Sequence, residues 1–126
     1  MEKFKKFTQA LQNLKPDTEY SYSGDVPTSE ELFNNVDWIT GVENGVSVTT
    51  KVNPHPELAW SLVLAEMNRL QTEYNNLVYA RARLTAYPDL KDFIEAYTEK
   101  EIGGDSTKWD DYVTKYNKVR SDNPKP

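Results

Sequence analysis

Residues 53–88 read NPHPELAWSLVLAEMNRLQTEYNNLVYARARLTAYP, and this stretch decides the fold. Pro54 and Pro56 flank a single residue, so neither a helix nor a central strand can cross Asn53–Pro56. From Glu57 to Ala86 there is then no proline and no glycine. Trp60, Val63, Met67, Leu70, Tyr74, Leu77, Arg81 and Leu84 recur at alternating spacings of three and four. That pattern places them on one seam of a helix running from about Pro56 to Tyr87. Leu58, Leu62 and Val78 widen the stripe toward that of a bundle helix. Arg81 needs a partner or must reach solvent from its seam position. At about 1.5 Å per residue such a helix spans roughly 45 Å, while a globule of this chain length is roughly 35–40 Å across. The reading therefore implies an elongated molecule or a helix covered in part by another chain.

Downstream, Tyr87-Pro88 ends the long helix. A second helix is expected over about 89–102, with Leu90, Phe93, Ile94, Tyr97 and Ile102 inward and Gly103-Gly104 as its stop. A third is expected over about 107–121, opened by Thr107 and Asp110 at capping-box spacing. Its inward face would be Trp109, Tyr112, Val113, Tyr116 and Val119 or Arg120. The two shorter helices would cover part of the long one as an antiparallel bundle.

Upstream, Phe4, Phe7, Leu11 and Leu14 form one stripe of a helix ending before Pro16. Tyr20 and Tyr22 share a face of a short strand over 19–23. Thr28 and Glu31 have capping-box spacing for a turn or short helix reaching about Asn35, unless Pro27 simply opens a turn. Residues 36–40 and 46–52 read as a hairpin, with Val36 and Trp38 on one arm and Val46, Val48 and Val52 on the other. Asn44-Gly45 supplies the positive φ of its turn, and Gly41 suggests a loop longer than two residues. The expected fold is α+β, mainly α. Residues 1–53 would form a small subdomain of helix and antiparallel sheet, and 54–126 a helical subdomain.

The chain has 126 residues, a net charge of −5 and no cysteine. Disulfides and thiolate chemistry are excluded. The acidic balance argues against a nucleic-acid partner, the Lys3, Lys5, Lys6 cluster being too short to reverse it. No stretch approaches a membrane span, and the N-terminus lacks the apolar run of a secretory signal. A soluble protein made in a cytoplasm is expected.

No motif for calcium, phosphate or dinucleotide binding is present. His55 is the sole histidine, and its flanking prolines leave it without a rigid element to position it as a base. Glu30-Glu31, Glu99 with Glu101, and Asp110-Asp111 are the available carboxylate pairs, but close neighbours on a helix diverge. The sequence reads as a non-enzyme, with no catalytic residue, cofactor or metal. The aromatic residues at helical spacing read first as core, but Trp60, Tyr74, Trp109, Tyr112 and Tyr116 also suit an interface. They also outnumber what a thin core can bury. The candidate interface residues are Trp60, Val63, Met67, Leu70, Tyr74, Leu77, Arg81, Trp109, Tyr112 and Tyr116.

A resemblance adds a setting. Asn53-Pro54-His55, Trp60, Ala65-Glu66-Met67, Leu70-Gln71, Glu73-Tyr74, Tyr79-Ala80-Arg81-Ala82-Arg83, Tyr87-Pro88 and the ending Asn123-Pro124-Lys125-Pro126 form a layout. It resembles small proteins of marine and cyanobacterial tailed phages, and Leu14-Lys15-Pro16 and Gly24-Asp25 extend the likeness to the front half. Ile102-Gly103-Gly104 departs from it. The resemblance implies a virion-associated protein of the tail or tail-fibre region, with other phage structural proteins and copies of itself as partners. A transient assembly chaperone and a small host-directed regulator are the alternatives.

Overall fold

The computed structural model describes residues 1–126, and the chain divides into two compact units, Met1–Tyr74 and Asn75–Pro126. Their elements are α and β in kind, mainly α, as the sequence implies. The division falls inside the stretch read as one helix rather than at residues 53/54, because the start of that stretch is built into the first unit's core.

The first unit begins with α1, Lys3–Leu14. Phe7, Ala10 and Leu11 are its buried face, at spacings of three and one that keep them on one side of the helix. Phe4, expected on that face, is 57% exposed, and Ala10 occupies the inner position instead. Beyond Pro16 the chain reverses through Asp17 at φ 62°, a conformation that Asp tolerates better than most residues. It enters β1, Tyr20–Ser21, shorter than the 19–23 expected.

The short helix α2 is Glu30–Phe33. Ser29, not Thr28, caps it, its Oγ accepting the Leu32 N–H at 3.3 Å. Val36 follows, fully buried just outside the sheet. Strands β2, Asp37–Glu43, and β3, Val46–Thr50, complete an antiparallel sheet of order β1-β2-β3. Their loop is only the two residues Asn44 and Gly45, at φ 50° and 77°, the positive values that let a tight turn match the strand twist. Gly41 does not lengthen the loop. It lies within β2, and the register instead slips between Ile39 and Gly41.

Trp38 anchors the core at 1% exposure. Phe33 packs against it edge-on at 5.6 Å, Tyr20 at 6.3 Å and the His55 ring at 5.6 Å. Phe7 contacts both Tyr20 and Tyr22, with ring centroids 5.8 and 6.0 Å apart. The valines expected to line the sheet's inner face do not: Val46, Val48 and Val52 are exposed, since the hairpin extends past the core.

After the prolines comes a single 3-10 turn, Pro56–Leu58, held by the Asn53 side chain, whose Nδ2 donates to the Leu58 carbonyl at 2.9 Å. Leu58 is fully buried. Helix α3, Trp60–Asn76, then brings Val63 and Met67 into the same core, with Trp60 and Leu70 packed against it. Its polar side ties to α1: Asn13 donates to Glu66 at 2.9 Å and Lys6 to Gln71 at 3.2 Å.

The long helix is not continuous. Leu77, at φ −99° and ψ 8°, separates α3 from α4, Val78–Ala86. Asn75 and Asn76 precede the break, and short polar side chains of this kind compete for the backbone of a helix end. With 17 residues, α3 is about 25 Å long, against the roughly 45 Å expected of one continuous helix.

The second unit contains α4, then α5, Leu90–Glu101, and α6, Thr107–Asp122. Helix α6 packs along α5 and touches α4, and Arg83 of α4 donates to the Asn123 carbonyl at 2.8 Å. Gly104 ends the α5 segment at φ 68°, with the Asp105 N–H donating to the Glu99 carbonyl at 3.1 Å. Asp105, rather than Thr107, opens α6, its Oδ1 accepting the Thr107 N–H at 2.9 Å. No helix is long and apolar enough to cross a membrane.

Candidate interaction surface

Helix α6 carries Trp109, Tyr112 and Tyr116 at spacings of three and four, so their rings line one side of it. Trp109 and Tyr112 stack at 5.9 Å, Tyr112 and Tyr116 at 6.3 Å, and Tyr87 continues the row against Tyr116 at 4.9 Å. From α5, Phe93 reaches Trp109 at 6.0 Å and Tyr112 at 5.5 Å. The ammonium of Lys100 sits 4.8 Å over Trp109, and the guanidinium of Arg120 sits 5.8 Å from the Tyr116 ring. Phe93, Trp109, Tyr112, Val113, Tyr116 and Asn117 enclose an open groove of about 390 Å³. All four aromatic members are half-buried, so each ring still presents area to whatever fills the groove.

The outer face of α5 is unexpectedly apolar. Leu90, Ile94 and Tyr97 are exposed, and Ile102 beyond the helix is 84% exposed. All four were expected to point inward. The reason is geometric: Phe93, Ala96 and Lys100 face α6, Tyr97 meets it only edge-on with its ring 6.0 Å from Trp109, and Ala96 is the one buried apolar residue of this unit.

The seam candidates separate into three groups. Val63 and Met67 are 0% and 3% exposed within the first unit's own core, so they hold the fold and are closed to any partner. Trp60 and Leu70 are half-buried against that core, Trp60 with its ring 5.3 Å from Phe33. Tyr74 and Leu77 are exposed, at 39% and 46%, and Arg81 on α4 is half-buried. Leu62 and Leu64 of α3, which the seam omits, are also exposed. The sequence signal for the α5 face was the same apolar spacing that suggested core, since periodicity marks a stripe without saying what covers it.

Several of the carboxylates pair with neighbours. Lys108 bridges Glu95 and Glu99, 2.8 Å from each, which lowers the Glu95 pKa and raises that of Lys108 through the shared hydrogen bonds. Asp111 pairs with Lys115 at 2.9 Å, and Ser106 donates to Asp110 at 3.4 Å. Glu30 and Glu31 occupy the first turn of α2. In the first unit, Arg69 grips Glu66 at 2.7 Å and Glu73 at 2.8 Å; the Arg69 hydrogen bond, then that from Asn13, holds the Glu66 carboxyl below its ordinary range. His55 is half-buried on Trp38, its backbone N–H donating to the Asn53 Oδ1 at 2.9 Å. No group of three His, Asp or Glu side chains is placed to hold a metal ion.

Compared with protein-family models, curated proteins and solved structures, the chain matches none.

Proposed function

We propose that this is a non-enzymatic phage protein of the tail or tail-fibre region, virion-associated, that works through protein–protein contacts. The contact mechanism is carried by one observation. The second unit buries a single apolar residue, Ala96, while its aromatic groove and the Leu90–Ile94–Tyr97 face stay open. A unit of this size holds its fold poorly on so small a core, and aromatic rings bordered by cations are what tight interfaces use as anchors. The phage setting comes from the resemblance of the Asn53–Pro88 layout and the Asn123–Pro126 ending.

Quantitative mass spectrometry of purified particles tests the setting. A structural component appears at fixed stoichiometry, and its absence from intact particles would remove the virion reading. The contact mechanism is tested with Trp109→Ala and Tyr116→Ala. Each should weaken binding to the partner tail protein by about 2 kcal/mol or more, the scale of an interface anchor. Unchanged affinity in both would place the interface elsewhere.

A further inference from the structure

Strand β3 is the last in the order β1-β2-β3, so one side of its backbone has no ladder. The two-residue turn makes Glu43 and Val46 a hydrogen-bonded pair, and alternation follows from there. The backbone groups of Val46, Val48 and Thr50 point toward β2, and those of Ser47 and Thr49 point outward. Edges of this kind are normally guarded by proline, charge or a bulge. Val46–Thr50 contains no proline and no charged residue, and the register slip lies on β2, away from the free edge. Val46 is 68% exposed and Val48 36%. Gly41, paired with Val48, has open space where a side chain would stand.

We infer that the free edge of β3 pairs with β3 of a second copy of this chain, antiparallel and centred on Val48. Outward N–H and C=O groups in an extended row are satisfied by another extended strand. The strand is complementary to itself in one register above the others. Centred on Val48, Ser47 of each copy lies opposite Thr49 of the other, and four hydrogen bonds use every outward group of both residues. Centring on Ser47 would draw the turn residue Gly45 into the pairing, and centring on Thr49 would draw in Lys51. The Val48 register also makes the two valines a non-hydrogen-bonded pair, with Cα atoms about 4.5 Å apart and their side chains in contact. No charged residues face each other across the ladder. Two-fold pairing closes on itself, giving a dimer rather than a fibre. This surface lies in the first unit and is independent of the aromatic groove.

The test is light scattering of the full chain over a concentration series, with amide hydrogen exchange on the same samples. The mass is expected to rise from one chain toward two, with the Ser47 and Thr49 amides becoming protected in step. Val48→Lys sets two ammonium groups against each other across the axis. Thr49→Pro removes an outward N–H and leaves the β2 ladder alone. Both should stay monomeric with unchanged circular dichroism, while Trp109→Ala still associates. A wild-type chain that remains single at millimolar concentration overturns the inference. So does a dimer that survives both hairpin variants, or one lost through Trp109→Ala alone.

Discussion

At the scale of single residues, small features decide where elements stop. Gly103 is one: a Cβ there would stand 2.8 Å from the Glu99 carbonyl oxygen, so the backbone itself would have to move. Gly104 next to it needs only the positive φ. Gly104→Ala should therefore cost about 1 kcal/mol, and Gly103→Ala more than that, in denaturant unfolding. Equal small losses would mean that the α5–α6 turn relaxes freely. Glu66 is the other informative residue, with a side chain only 15% exposed and hydrogen bonds from Arg69 and Asn13. Its carboxyl is held below the ordinary range, so its contribution is present above the unfolded value of about 4.3 and is lost as pH falls through the folded value. Glu66→Gln should destabilise the chain by about 1 kcal/mol or less at neutral pH. The difference from wild type should vanish in acid. An acid titration of unfolding that keeps the two proteins apart well below the folded value would show that the charge is irrelevant.

Among the elements, the contrast is between segments that find cover and segments that do not. Leu58, on a single 3-10 turn, is fully buried and joins α1 to the start of α3. Leu58→Ala should cost about 2–5 kcal/mol, as a cavity in a well-packed core does, and thermal unfolding reads it directly. Leu84 of α4 has the same apolar side chain at 78% exposure, and Leu84→Ala should change stability by less than about 0.5 kcal/mol. Both leucines come from the one stretch read as a continuous stripe. The spacing was legible, and so were α1, α5 and α6 within a residue; Asn44-Gly45 was legible as the turn, though its loop was expected to be longer than the two residues found. The break at Leu77 was not, because nothing local forbids a helix there; Asn75 and Asn76 only weaken it.

For the whole chain, stability should be uneven. The first unit holds the buried cluster from Phe7 to Met67, and the second has Ala96. Native-state hydrogen exchange should therefore find the amides of α5 and α6 less protected than those of α1 and β2. Uniform protection across both units would contradict this. Binding of a partner to the aromatic groove should raise protection in α5 and α6 selectively, since a ligand adds its free energy to the element it covers.

The candidate surface shows how far one sequence reaches. Trp109, Tyr112 and Tyr116 were nameable in advance, because their three-and-four spacing places them on one side of α6 wherever that helix goes. Val63 and Met67 were nameable by the same rule and proved to be core. Local sequence by itself determined α1, α5, α6, the Asn44-Gly45 turn, the absence of thiol chemistry and the acidic balance, since these depend on neighbours in the chain. Only the tertiary structure decided which apolar stripes are covered, that α3 belongs with the sheet, and that the edge of β3 is bare. Burial depends on what the rest of the chain brings opposite each stripe, and periodicity carries no information about that.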